Sequence, residues 1–138
     1  MPSWYKNVPI GHLLDGKAGV VIGAGTDAHR VATYNPFVAL RWMLNEKSAG
    51  GVALRGPEET PSRIEALCMY TSGSAWFAHD EAQRGTLAAG KFADLAVLSK
   101  DYLSVPVDAI GGIQSLLTMV GGRLVYADGA FTKFEERR

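Results

Sequence analysis

Apolar residues are spaced in three different ways along this chain, and each spacing predicts a different kind of element. From Pro9 to Asp15, Ile10, Leu13 and Leu14 fall on one side of an amphipathic turn of helix, and Gly16 to Gly19 then turn the chain. Val20 to Gly25 follows without polar alternation, which predicts a strand buried on both faces, as in a parallel sheet. Asn35-Pro36 opens a helix, with proline suited to the first turn. Phe37, Leu40, Trp42, Met43 and Leu44, with Arg41 among them, give that helix a broad apolar face ending near Lys47. Residues 48–61 are rich in glycine and proline and read as a loop. Ser62 and Glu65 have the spacing of a capping box, opening a helix on Ile64, Leu67, Cys68 and Thr71. Ser72-Gly73-Ser74 interrupts it, and a second helical turn carries Ala75, Trp76, Phe77 and Ala78.

The texture changes after Arg84. Ala89-Gly90-Lys91 has turn chemistry, and Phe92 to Leu98 reads as a strand. Leu116 to Val120 and Arg123 to Tyr126 flank Gly121-Gly122, a hairpin signal because tight turns there need positive φ. Ala127-Asp128-Gly129 ends the second strand, and no internal repeat is evident. The fold class expected is α/β, with β/α texture in residues 1–84 and β texture in residues 85–138.

The length of 138 residues allows one domain with a real core and is short for two. The 14 basic and 14 acidic residues cancel, so neither nucleic acid nor an anionic membrane is expected as a partner. A single cysteine, Cys68, cannot form an intramolecular disulfide and fits a reducing compartment. MPSWYKNVPI lacks the apolar core of a signal peptide, and no stretch reaches the roughly 18 apolar residues of a membrane span. A cytoplasmic location is the expectation.

Candidate chemistry concentrates where the apolar run ends, in VVIGAGTDAHR. Gly23-Ala24-Gly25-Thr26-Asp27-Ala28 matches a dinucleotide fingerprint, but the next helix begins about ten residues late and Asp27 would sit where phosphate should. Glu46, the candidate ribose partner, falls on a helix. A carboxylate at a strand end, Asp27, could instead ligate a metal and accept a proton from metal-bound water. The plain alternative is a loop residue or helix cap. His29 reads as loop surface near a pocket mouth. His12 and His79 read as structural, and Cys68, Tyr70, Trp76 and Phe77 read as core. The residues thus offer one candidate catalytic acid and no complete site.

Three stretches carry a resemblance: GTDAHR followed by YNPF, RGTLAAGKFADLAVLSKDYLSVP, and LLTMVGGRLVYADG. On these the chain resembles the amidohydrolase superfamily, in particular the amidohydrolase-3 branch of metal-dependent hydrolases. The resemblance implies an eight-stranded β/α barrel with one or two divalent metals, usually zinc, beside a small β-sandwich. It also implies hydrolysis of non-peptide C–N bonds by metal-activated water. Asp27 matches the aspartate closing the last barrel strand, which helps hold metal or water and shuttles the proton, with Gly25 and Thr26 as its approach. His29 and Arg30 fall in the loop after that strand, where substrate contacts are expected.

The family's H-x-H pair, its lysine or acid and its two further histidines have no counterpart here. The chain is therefore expected to be the C-terminal part of such an enzyme: a partial barrel over 1–84 joined to a β-sandwich segment with a C-terminal hairpin over 85–138. It should be inactive alone. The implied partners are the missing N-terminal barrel portion or a homo-oligomer, and an amide-like small molecule. The divalent metal belongs to the complete enzyme, with none required of this chain alone. The competing expectations are a non-catalytic, self-associating remnant and, at a distance, a dinucleotide-binding module.

Overall fold

The computed structural model describes residues 20–26, 33–45, 47, 51–52, 56 and 59–137. The expected turn of helix over 9–15, and most of the 48–61 loop, lie outside these residues. Helix α1 spans Pro36–Asn45. The Asn35 side-chain oxygen accepts from the Phe37 N–H at 2.9 Å, which satisfies one of the donors that a helix start leaves open. Leu40 and Met43 are buried, and Phe37 and Leu44 pack beside them. Trp42 is more than 40% exposed, so the inward face is narrower than the sequence pattern suggests.

Helix α2, Arg63–Cys68, begins with the complete capping box: Ser62 Oγ accepts from the Glu65 N–H at 3.2 Å, and the Glu65 carboxylate accepts from the Ser62 N–H at 2.7 Å. The face it buries is not the expected one. Ile64 is 61% exposed, and Leu67, Cys68 and Thr71 also face out, whereas Ala66, Met69 and Gly73 are buried. The reason is size. Glycine at 73 lets the Ile22–Gly23 backbone approach closely, and Ala66 and Met69 on the same stripe join the core.

Ser72-Gly73-Ser74 does not stop the helix. A π-helical stretch, Met69–Gly73, carries it into a last turn, α3, Ser74–Phe77. Trp76 (44% exposed) and Phe77 (58%) form an edge-to-face pair on the surface, not in the core. Tyr70 is half-buried against the core as expected. His79, at φ 55°, closes the helix in the left-handed region, its N–H donating to the Trp76 carbonyl. This is a structural role for an exposed histidine.

The C-terminal part is a three-stranded antiparallel sheet in the order β1 (Leu95–Leu98), β2 (Ser115–Val120), β3 (Arg123–Ala127). Gly121 and Gly122, at φ 56° and 77°, make the tight turn that favours glycine at both positions. Asp94 accepts from the Gly121 N–H at 2.6 Å, and the Ala93 carbonyl accepts from the Gly122 N–H at 3.2 Å, which ties the hairpin tip to the entry of β1. That entry is irregular, so β1 starts at Leu95 and not at Phe92. Bulges follow Val97 and Thr118.

One core joins the helices to the segment between β1 and β2. Leu40, Met43, Ala66 and Met69 meet Tyr102, Ile110 and Ile113, the last two at most 1% exposed. A 3-10 helix, Val107–Gly112, brings Ile110 onto α1. The Arg63 guanidinium donates to the carbonyls of Tyr102 and Val105, and the Tyr102 hydroxyl donates back to the Arg63 carbonyl at 3.0 Å. Burial raises the Tyr102 pKa, which keeps this donor protonated. A second 3-10 helix, Gly129–Arg137, follows β3. Among the described residues no helix is long and apolar enough to cross a membrane.

The expected strand over Val20–Gly25 is the main correction. Residues 20–26 belong to no sheet, and Val20 (51%) and Val21 (40%) are exposed, not buried on both faces. The cause is the lack of a neighbouring strand. A parallel strand gets its hydrogen bonds only from strands distant in sequence, and the described residues supply none beside it.

Candidate functional site

The segment leading to Asp27 is held by the helix that changes pitch. In the π-helical stretch the Met69 carbonyl accepts from the Ser74 N–H, five residues on, and also from the Ala24 N–H at 3.0 Å. The Ser74 hydroxyl lies 2.8 Å from both the Ala24 and Met69 carbonyls, and its single proton serves one at a time. Two glycines allow this approach. A Cβ on Gly73 would come within 2.1 Å of the Ile22 carbonyl oxygen, and one on Gly23 within 2.6 Å of the Phe77 ring. A π-turn here is thus the element that aims Ala24-Gly25-Thr26, and such turns are common at functional sites.

Beside this clamp lies an open groove of about 400 Å³, with Val21 and Ile22 on one wall and Cys68, Met69, Gly73 and Trp76 on the other. Its character is apolar. Glu65 stands at its rim, with a carboxyl held below the ordinary glutamate range by its hydrogen bond with the Ser62 side chain and then by the Ser62 backbone. Cys68 is exposed at this groove and is not the core residue expected.

Asp27, His29 and Arg30, the expected catalytic acid and substrate contacts, lie outside the described residues, as do Ala28, His12 and Glu46. Among the described residues no group of three or more histidine, cysteine, aspartate or glutamate side chains could hold a metal ion. The donor set that a metal requires is thus not met by this part of the chain. Sequence reasoning missed the positioning residues Met69, Gly73 and Ser74. The available signal was Ser72-Gly73-Ser74 itself, flagged as a break in a helix when it marks a change of pitch and a close approach.

The sequence pattern of the Amidohydrolase family (Amidohydro_3) matches residues 7–126. Among curated proteins, an N-substituted formamide deformylase from Arthrobacter pascens is 32% identical over 121 residues, covering 88% of this chain and 22% of the relative. The putative amidohydrolase YtcJ of Bacillus subtilis is 29% identical over 112 residues, covering 78% and 21%. A 5-methylthioadenosine/S-adenosylhomocysteine deaminase from Desulfovibrio desulfuricans is 37% identical over 78 residues, covering 50% and 18%. The chain spans about a fifth of the length of these relatives. No solved structure matches it. A match running through both the GTDAHR segment and the C-terminal hairpin decides the assignment: the chain belongs to the amidohydrolase family, in its amidohydrolase-3 branch.

Proposed function

We propose that this chain is the C-terminal part of a metal-dependent hydrolase of C–N bonds other than peptide bonds, and that it works only with the remaining part. The observation carrying this is the family match over residues 7–126, set against coverage of about a fifth of each relative. In this reading residues 1–84 complete a β/α barrel and residues 85–138 belong to a β-sandwich beside it. Asp27 is the acid that this chain contributes. It would hold one metal-ligand position and accept a proton from water, while His29 and Arg30 would border the substrate. One carboxylate does not make a metal site or select among divalent ions, so the other ligands come from outside this chain. Zinc is the ion the resemblance favours. The relatives' names point to an amide-like substrate, with an N-substituted formamide as the first to try.

The test pairs this chain with the N-terminal four-fifths of the Arthrobacter deformylase and follows formamide hydrolysis and metal content. The isolated chain should hydrolyse nothing and hold well under one metal per chain. The pair should be active, and Asp27→Asn should lower its rate by about 10²–10⁴-fold, the usual contribution of a positioned acid or base. Robust hydrolysis by the isolated chain, or a pair indifferent to Asp27→Asn, would overturn the proposal.

A further inference from the structure

The stretch RGTLAAGKFAD, residues 84–94, carries three charged side chains that the proposed reaction does not use, Arg84, Lys91 and Asp94. Each of them fastens the chain to itself. Lys91 Nζ donates to the carbonyls of Glu81 (2.7 Å) and Arg84 (3.4 Å), and the Phe92 N–H donates to the Gln83 carbonyl at 2.9 Å. Arg84 Nε lies 3.0 Å from the Asp80 carboxylate and 3.6 Å from that of Asp94, with its guanidinium over the Phe92 ring. Asp94 in turn holds the Gly121 N–H at the hairpin tip. At the other end the Asp80 N–H donates to the Ala75 carbonyl at 3.0 Å, which ties the segment to the helix.

Between these ties the chain presses on the π-turn. A Cβ on Gly85 would come within 2.8 Å of the Ala75 Cβ, 2.9 Å of the Ser72 Cα and 3.2 Å of the Thr71 carbonyl oxygen. Thr71 and Ala75 stand two residues to either side of Gly73, so they lie on the opposite face of the helix from it. The turn is therefore gripped between two glycine contacts, Gly73 against the Ile22–Gly23 backbone and Gly85 against its back.

We propose that residues 80–94 form a strap that holds the π-turn against the 22–24 segment, which makes Gly85 and Lys91 positioning residues for the backbone leading into Asp27. The bearing on Asp27 as an acid rests on the function proposed above; the strap itself is a property of this chain. Its physical basis is close packing, since a turn confined on both faces cannot move away from Ala24 without displacing Gly85. The ion pairs of Arg84 are exposed and add little on their own, so the fastening falls to Lys91 and the Gly85 contact.

Two glycines supply the test. Gly85 and Gly90 have φ of 85° and 87°, so alanine strains the backbone at both, but nothing lies within 4 Å of a Cβ on Gly90. Amide exchange in the 138-residue chain is read by NMR at Ala24 and, as an internal reference, in β2. Gly85→Ala should speed Ala24 exchange by about tenfold relative to β2, whereas Gly90→Ala should leave that ratio unchanged. Lys91→Met removes the fastening without a clash and should raise the same ratio by about threefold. It gives the answer if Gly85→Ala does not fold. An unchanged ratio in Lys91→Met, or equal ratios in the two alanine variants, would overturn the strap and leave the proposed function standing. No substrate or second chain enters the measurement, so a failure of the proposed function would leave the strap standing.

Discussion

The two ends of the described chain contain β-rich sequence of similar quality, and only one end forms a sheet. Leu116–Val120 and Arg123–Tyr126 pair through a two-glycine turn, and β1, also close in sequence, takes the other edge of β2. Val20–Gly25 is no less apolar, yet it has no ladder, because a parallel strand depends on neighbours far away in sequence or in another chain. The helices repeat the contrast. Leu40, Met43, Ala66 and Met69 find partners in the 102–113 segment, while Ile64, Leu67, Trp76 and Phe77 stay exposed. Local pairing builds the C-terminal sheet, while the core of both parts forms where the helices meet the 102–113 segment.

If that shared core holds the two regions together, Ile110→Ala should break both at once. Truncating a fully buried isoleucine costs about 2–5 kcal/mol, and Ile110 is 0% exposed. Helical circular dichroism and hairpin amide exchange should then be lost in one denaturant transition. Two separate transitions, with the sheet surviving, would show that the regions fold independently.

A smaller effect should separate the clamp from the hairpin. Gly73→Ala forces a methyl group against the Ile22 carbonyl, and overpacking of this kind costs about 1–3 kcal/mol. The loss should appear as faster exchange at the Ala24 amide, with the exchange of the Gly121-Gly122 hairpin unchanged. Unaltered Ala24 protection would mean that the 20–26 segment is not held by this close approach.

The capping box gives the smallest change and the one that depends on pH. Ser62→Ala should cost about 0.5–2 kcal/mol in thermal or urea unfolding. Glu65 has its folded pKa lowered, by the Ser62 side chain first and the Ser62 backbone second. Its contribution is therefore present above the unfolded glutamate value and is lost as pH falls through the folded one. Melting curves across the acid range should lose less stability in Glu65→Gln than in the parent. Equal acid sensitivity would remove the carboxylate from the cap.

Much was legible where the physics is local. The Ser62/Glu65 cap, the proline-led start of α1 and the Gly121-Gly122 turn depend on side chains a few residues apart, and all three form as their spacing predicts. The candidate acid, Asp27, closes an apolar run in the sequence and lies outside the described residues. What failed was the choice between two stripes of one helix. Ile64/Leu67/Cys68/Thr71 is the more apolar by residue type, but burial went to Ala66/Met69/Gly73, where Gly73 admits the Ile22–Gly23 backbone and Ala66 and Met69 join the core. Hydrophobicity is a property of a residue, whereas close approach is a property of a pair.

By itself, then, the sequence determined the caps, the hairpin and the family, because each is written in short-range spacing or in motifs carried along one strand. Tertiary structure alone decided that the helix widens into a π-turn at Met69, that its carbonyl receives the Ala24 N–H, and that the apolar run before Asp27 lies half-open beside a groove. Those outcomes depend on which surfaces are present to pack. A chain can encode a strand, but it cannot pair that strand without a neighbour.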